Sequence, residues 1–255
     1  VLQWRDRRGA IWMERDEALG SILERDEIMR ERPVAPTLDA IAWRPLPLEG
    51  TPPIEPPCEI LILPDPSLAP GSSAELAPPI PDEPGQRVTA GEVPQSWRIH
   101  IERERAAETT GRDRALWGER DDLDASIASD LIIDAADEGV RRFADEAVLA
   151  AATPTEEALL LERAVHERIA IRDLGTVFAT ASQTLIARRG DCTEHAVLLA
   201  ACCRARGIPA RLVAGIVPAG DRMLFHLWTE VFLNRWSPLD ATLGVGGAAP
   251  CAIAL

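Results

Sequence analysis

Residues 196–203, Ala-Val-Leu-Leu-Ala-Ala-Cys-Cys, are apolar on every side of any helix drawn through them. Gly190 and Asp191 punctuate the chain before this run and Gly207 after it, so the pattern predicts a helix that starts at Cys192. A helix with no polar face has to lie at the centre of its domain. The run is also far short of the roughly 20 residues that a membrane-spanning helix needs, so nothing here is expected to cross a bilayer. A chain of 255 residues with 46% hydrophobic content can bury a core around such a helix. Beyond Gly207, residues 208–217, 224–233 and 235–240 read as three strands, with Asn234 as the turn residue between the last two. A buried helix followed by antiparallel strands is an α+β arrangement.

Helical patterns also precede the central run. Asp137 and Glu138 open a segment in which Val140, Phe143, Ala144, Val148 and Leu149 form the apolar stripe. Thr153 as cap and Pro154 at the first helical position open another, with Leu160, Leu161, Val165 and Ile169 facing inward. A third, shorter helix is expected over 180–187. Upstream the texture differs: 14 of the 21 prolines fall between Pro45 and Pro94, which excludes helix there. Residues 2–4, 10–13, 59–63 and 96–102 read as extended, and 18–31 as a short helix interrupted by Gly20. We therefore expect a β-rich accessory domain with Pro-rich loops over 1–116 and an α+β core over 117–255. The Gly- and Ala-rich tail from Gly244 reads as a cut or altered end of that core.

Charge and sulfur exclude several functions. The chain has 27 basic and 41 acidic residues, net −14, which argues against nucleic-acid or anionic-membrane binding. Every basic residue is Arg, so the chain offers no ε-amino group. The first residue is Val1 rather than Met, so the native N-terminus, and any targeting segment that would assign the protein to the cytoplasm or the cell envelope, is expected to lie outside the sequence. Cys58, Cys192, Cys202, Cys203 and Cys251 are odd in number and irregularly spaced, so no disulfide framework is expected. No CxxC pair supports structural zinc, and no glycine-rich phosphate-binding pattern supports an organic cofactor.

One thiol stands out. Cys192 falls in the first turn of the buried helix, where backbone N–H groups and the helix dipole stabilise a thiolate and can receive an oxyanion. His226 falls on the second strand after the helix and Asp240 at the end of the third. Adjacent strands can bring an imidazole and a carboxylate together, and packing on the helix end can bring both to the sulfur: nucleophile, base and orienter.

These residues sit in four segments with a family resemblance: Gly190-Asp191-Cys192-Thr193-Glu194-His195-Ala196, Gly207-Ile208-Pro209-Ala210-Arg211, His226-Leu227-Trp228-Thr229-Glu230-Val231 and Pro238-Leu239-Asp240-Ala241-Thr242. Together, over about half the chain from 117 to 245, they resemble the core of the bacterial transglutaminase-like superfamily. The resemblance implies a papain-like fold with Cys192 as nucleophile, His226 as base and Asp240 as orienter. It implies cysteine-dependent acyl transfer on peptide or protein amides, with hydrolysis favoured over amine transfer. Leu227 and Ala241 depart from the residues usual in the family without removing a functional group. With no Lys, crosslinking of the usual glutamine-to-lysine kind would need a partner protein.

Alternatives stand beside this reading. The fold could serve as a non-catalytic peptide-binding module, or Cys192, His226 and Asp240 could ligate a metal. His195, one turn after Cys192, reads as a hydrogen-bonded structural histidine rather than a second ligand or base. Trp228 shares a strand face with His226 and could line a substrate site or fill the core. Glu194 could order the helix start, Arg188 and Arg189 could contact substrate or solvent, and Cys202 and Cys203 read as inert packing.

Overall fold

The computed structural model describes residues 2–5, 11–16, 21–24, 46–50, 57–63, 80–83, 85–93, 96–102, 121–171, 179–247 and 251–255, with backbone alone at 2–5, 11–16, 21–24, 46–47 and 121–122. The described upstream strands are β1 (Leu2–Arg5), β2 (Ile11–Asp16), β3 (Ser21–Glu24), β4 (Leu46–Pro47), β5 (Cys58–Ile62), β6 (Gln86–Ala90) and β7 (Trp97–Ile101). All but β4 form two three-stranded antiparallel sheets, ordered β1-β2-β3 and β5-β7-β6. The pieces expected as extended are β1, β2, β5 and β7. Within 18–31, where a helix was expected, residues 21–24 are instead a strand: pairing with β2, from Asp16 opposite Ser21, overrides a weak local pattern. The remainder of 18–31 and the expected boundary between 116 and 117 lie outside the described residues.

Further along, the helices are α1 (Asp121–Ala125), α2 (Glu138–Ala147), α3 (Pro154–Arg168), α4 (Ala181–Ala187) and α5 (Cys192–Ala205). The last four start at a side-chain cap. Asp137 accepts the Val140 N–H at 3.0 Å, and Thr153, Thr180 and Asp191 each form a reciprocal capping box. Leu149, expected on the α2 stripe, falls beyond the helix end and is 85% exposed. As its pattern predicts, α5 is buried along all of 194–203. A buried Val or Leu contributes about 1.5–3 kcal/mol and a cap about 1 kcal/mol, so packing rather than capping holds α5 in place.

The strands that follow are β8 (Ala210–Ala219), β9 (Arg222–Phe232), β10 (Trp236–Leu239) and β11 (Ile253–Ala254). They form a sheet ordered β10-β9-β8-β11, to which β4 adds by pairing with the start of β9. Asn234, at φ +66°, makes the turn into β10. The helices and the sheet share a core that includes Leu161, Leu198, Ala210, Val231 and Leu239. A second core, with Ile99, Ile101, Ile216, Met223 and Ile253, joins the β5-β7-β6 sheet to β8, β9 and β11.

That second contact contains a disulfide between Cys58 and Cys251, with Cα atoms 5.5 Å apart and a sequence separation of 193. This corrects the expectation of no disulfide. Spacing alone cannot reveal a pairing that requires β5 to be laid against the tail. The tail itself is part of the sheet: β11 pairs with β8, and the Gln86 side chain donates to the Ala254 carbonyl at 3.0 Å and accepts its N–H at 2.8 Å.

Removing this cross-link by Cys58→Ala with Cys251→Ala should cost ~2–5 kcal/mol of unfolding free energy in a denaturant titration. Reductant should lower the midpoint of the unsubstituted protein and leave that of the double variant unchanged. Equal midpoints for all samples would contradict the link.

Candidate functional site

Helix α5 begins in a tightly bonded turn. Asp191 Oδ1 accepts the Thr193 N–H at 2.8 Å, and Glu194 Oε2 accepts the Asp191 N–H at 3.0 Å. The Asp191 carbonyl receives the His195 N–H at 3.1 Å and the His195 ring Nδ1 at 2.6 Å. His195 is thus a buried, hydrogen-bonded residue within its own helix turn. Glu194 is also fully buried; burial, with the Asp191 charge adding to it, raises its carboxyl to about 7. Arg188 and Arg189 lie exposed in the loop just before. The result is a fixed position for Cys192, whose side chain is half-buried, whereas Cys202 and Cys203 are fully buried and desolvation pushes both thiols up.

Strand β9 is tied to this helix start. Thr229 Oγ1 donates to the Ala196 carbonyl at 2.9 Å, three residues beyond His226 on one element and four beyond Cys192 on the other. Strand β10 then supplies the carboxylate: its last residue, Leu239, pairs with Thr229, and Asp240 follows. Asp240 is 1% exposed, and its Oδ2 lies 2.6 Å from His226 Nε2. The second carboxylate oxygen accepts the Thr242 N–H at 2.9 Å, which fixes the plane of the group. With Nε2 engaged, Nδ1 is the ring nitrogen left for the hydrogen bond that joins His226 to the Cys192 side chain.

Burial by itself would lower the His226 pKa. The hydrogen bonds to Asp240 and Cys192, together with the charges of those groups, outweigh it and hold the imidazole up at about 10. Cys192, His226 and Asp240, singled out in the sequence, are therefore adjacent in space, and the open side of the row is the sulfur side.

Trp228 lies behind this row. It is 1% exposed, and its ring stacks at 6.4 Å from the His226 ring against Ala252 and Ala254. The indole also reaches Gly215, the β8 partner of His226, where a Cβ would come within 2.5 Å of the indole and 2.1 Å of the Ile253 carbonyl. A glycine there lets Trp228 and β11 approach. Sequence reasoning missed Glu162 of α3, a buried carboxylate that accepts the Asp240 N–H at 2.9 Å. Nothing in the local pattern marks it, because its neighbours Leu160 and Leu161 read as an ordinary apolar stripe. Among the described residues, no group of three His, Cys, Asp or Glu side chains is arranged to hold a metal. A separate cleft of about 540 Å³ lies between the β5-β7-β6 sheet and β9–β10, lined by Glu83, Gln86, His100, Glu230 and Trp236; Cys192 does not line it.

Residues 141–241, from the first turn of α2 to just past Asp240, match the family model of the transglutaminase-like superfamily. This segment is similar to a transglutaminase-like core. No curated protein matches the chain. Among solved structures, a candidate cysteine protease from Cytophaga hutchinsonii is similar at 17% identity and a TM-score of 0.53, over 62% of this chain and 55% of its own. The periplasmic domain of TgpA from Pseudomonas aeruginosa aligns at 25% identity and a TM-score of 0.39, over 59% and 54%. The chain thus spans about half the length of these neighbours, and the first of them shares its fold. The buried helix packed on an antiparallel sheet also bears out the expected α+β class.

A folded imidazole at about 10 binds its proton more tightly than the unfolded imidazole at 6.5. The native state therefore holds one more proton at this site between those values. The His226 contribution to stability should be complete below pH 6.5 and be lost as pH rises towards 10. Denaturation of the unsubstituted protein and of His226→Gln across pH 6–10 should show converging stabilities; a gap that widens with pH would contradict the assignment.

Proposed function

We propose that this chain is a cysteine-dependent acyl-transfer enzyme acting on peptide or protein amides, with hydrolysis as its main outcome. The observation that carries this reading is the His226 ring, bonded on one side to buried Asp240 and on the other to half-buried Cys192 at the start of a helix. In the proposed cycle, the Cys192 sulfur, as the anionic partner of the imidazolium, attacks the amide carbonyl to form a C–S bond. The developing oxyanion is received by the backbone N–H of Cys192, which heads α5 with no carbonyl one turn earlier to bond, the next N–H groups being held by Asp191. His226 gives its proton to the departing amine as the C–N bond breaks, leaving a thioester. Water then attacks the thioester and passes a proton to His226, and the acid leaves while the sulfur regains its starting state. Asp240 keeps the ring oriented and offsets its positive charge throughout.

An amine in place of water would give transamidation through the same thioester. The candidate cysteine protease among the structural neighbours supports the hydrolytic choice by analogy of fold. The Cys58–Cys251 disulfide supports an oxidising compartment as the working environment.

Alkylation by iodoacetamide at pH 6, mapped by mass spectrometry, tests the nucleophile without knowledge of the substrate. Cys192 should label selectively, and His226→Ala should slow it about 100-fold or more. Labelling of Cys192 at the rate of a free peptide cysteine, or no change in a folded His226→Ala protein, would replace this reading with a peptide-binding module.

A further inference from the structure

Helix α3 reaches Asp240 from the side opposite His226. Glu162 is 2% exposed, and each of its carboxylate oxygens holds backbone: Oε1 accepts the Asp240 N–H at 2.9 Å and Oε2 the Gly246 N–H at 2.8 Å, with the Gly247 N–H also directed to it. One turn along α3, His166 Nδ1 donates to the Ala241 carbonyl at 2.9 Å. The His166 ring lies so close to Gly244 that a Cβ there would be 2.6 Å from its Cγ, and Gly244 adopts φ +68°. The loop after β10 is therefore wrapped on two side chains of one helix face. Within that loop the Asp240 carbonyl accepts the Leu243 and Gly244 N–H groups at 3.0 and 2.8 Å, and Oδ1 accepts Thr242 N–H. Oδ2 is the oxygen that remains to face His226.

We infer that Glu162 is a positioning residue for the proposed reaction: it sets the place of Asp240 by gripping its backbone N–H and the loop behind it, and through Asp240 it orients His226. The inference rests on the acyl-transfer reading above. A second carboxylate beside Asp240 is an expensive choice for a site that only had to be filled, since burial first and the Asp240 charge after it raise the Glu162 carboxyl to about 7. An apolar side chain would fill the position without that cost but would leave the Asp240 N–H without its acceptor. A carboxylate alone among side chains of this length offers only acceptors, and all the groups aimed at Glu162 are N–H donors. A glutamine would turn its amide N–H₂ towards one of them.

The test is a double-mutant cycle on Cys192 alkylation by iodoacetamide at pH 8, where Glu162 is ionised, using the full chain. Glu162→Gln should slow labelling about tenfold, as loss of an outer-shell carboxylate does at other sites, while circular dichroism is unchanged. Asp240→Asn should slow it at least as much, and adding Glu162→Gln to Asp240→Asn should change the rate less than twofold, because both act through one contact. Should Glu162→Gln fail to fold, Glu162→Asp, which keeps the charge and shortens the reach, should fold and label more slowly than the unsubstituted protein. A Glu162 variant that is folded and labels at full rate, or one whose effect multiplies with that of Asp240→Asn, would overturn the inference. If the unsubstituted protein shows no His226-dependent labelling, the acyl-transfer reading fails first, which is a different result.

Discussion

The hydrogen bond from His226 Nε2 to Asp240 Oδ2 couples two neighbouring strands at the one point where their side chains must meet the helix end. An imidazole this buried would ordinarily shed its proton. It keeps the proton because a carboxylate that is 1% exposed sits beside it and cannot be replaced by water. That carboxylate is itself affordable only because the Thr242 N–H bonds one oxygen and His226 the other. Much of the core can be seen as the structure needed to keep these two groups together. The β9–β10 pairing sets their separation, Trp228 closes one face of the ring, and Gly215 makes room for Trp228.

The sulfur arrives by a different route. Its position depends on where α5 starts, and that is fixed twice: locally by Asp191 and Glu194, and at longer range by burial of the whole apolar run. The Thr229 hydroxyl bond to the Ala196 carbonyl then registers α5 against β9, so that helix and strand cannot slide without breaking a buried contact. Ala252 and Ala254 pack on Trp228, and the disulfide and the Gln86 side chain tie that segment to the β5-β7-β6 sheet. The upstream sheet thereby contributes to the rigidity of the site without lining it.

The central helix was legible because an apolar run flanked by glycines allows few other structures, and the strands after it were legible from alternation and the Asn234 turn. Capping was legible at Thr153, since the cap and the residue three positions later are near in sequence, whereas Asp137, Thr180 and Asp191 were read only as marking where helices begin. What escaped depends on contacts between distant segments. Cys58 and Cys251 carry no mark of each other. Glu162 looks like one more acid in an amphipathic helix until the loop after β10 folds onto it. Strand β3 was misread as helix because four residues hold too little periodicity to outvote a neighbouring strand. Cys192, His226 and Asp240 were legible through motif context; taken alone, a strand histidine and a turn aspartate would have read as ordinary.

The claim at the centre of this account is that His226 stays protonated at neutral pH because Asp240 and Cys192 hold it. The direct measurement is an NMR titration of the His226 ring nitrogens in the full chain, alongside Asp240→Asn. The account predicts an imidazolium with both nitrogens protonated through pH 7 and a transition well above 6.5, moved down in Asp240→Asn. A ring that is neutral at pH 7 in the unsubstituted protein, or one whose transition ignores Asp240→Asn, would contradict it.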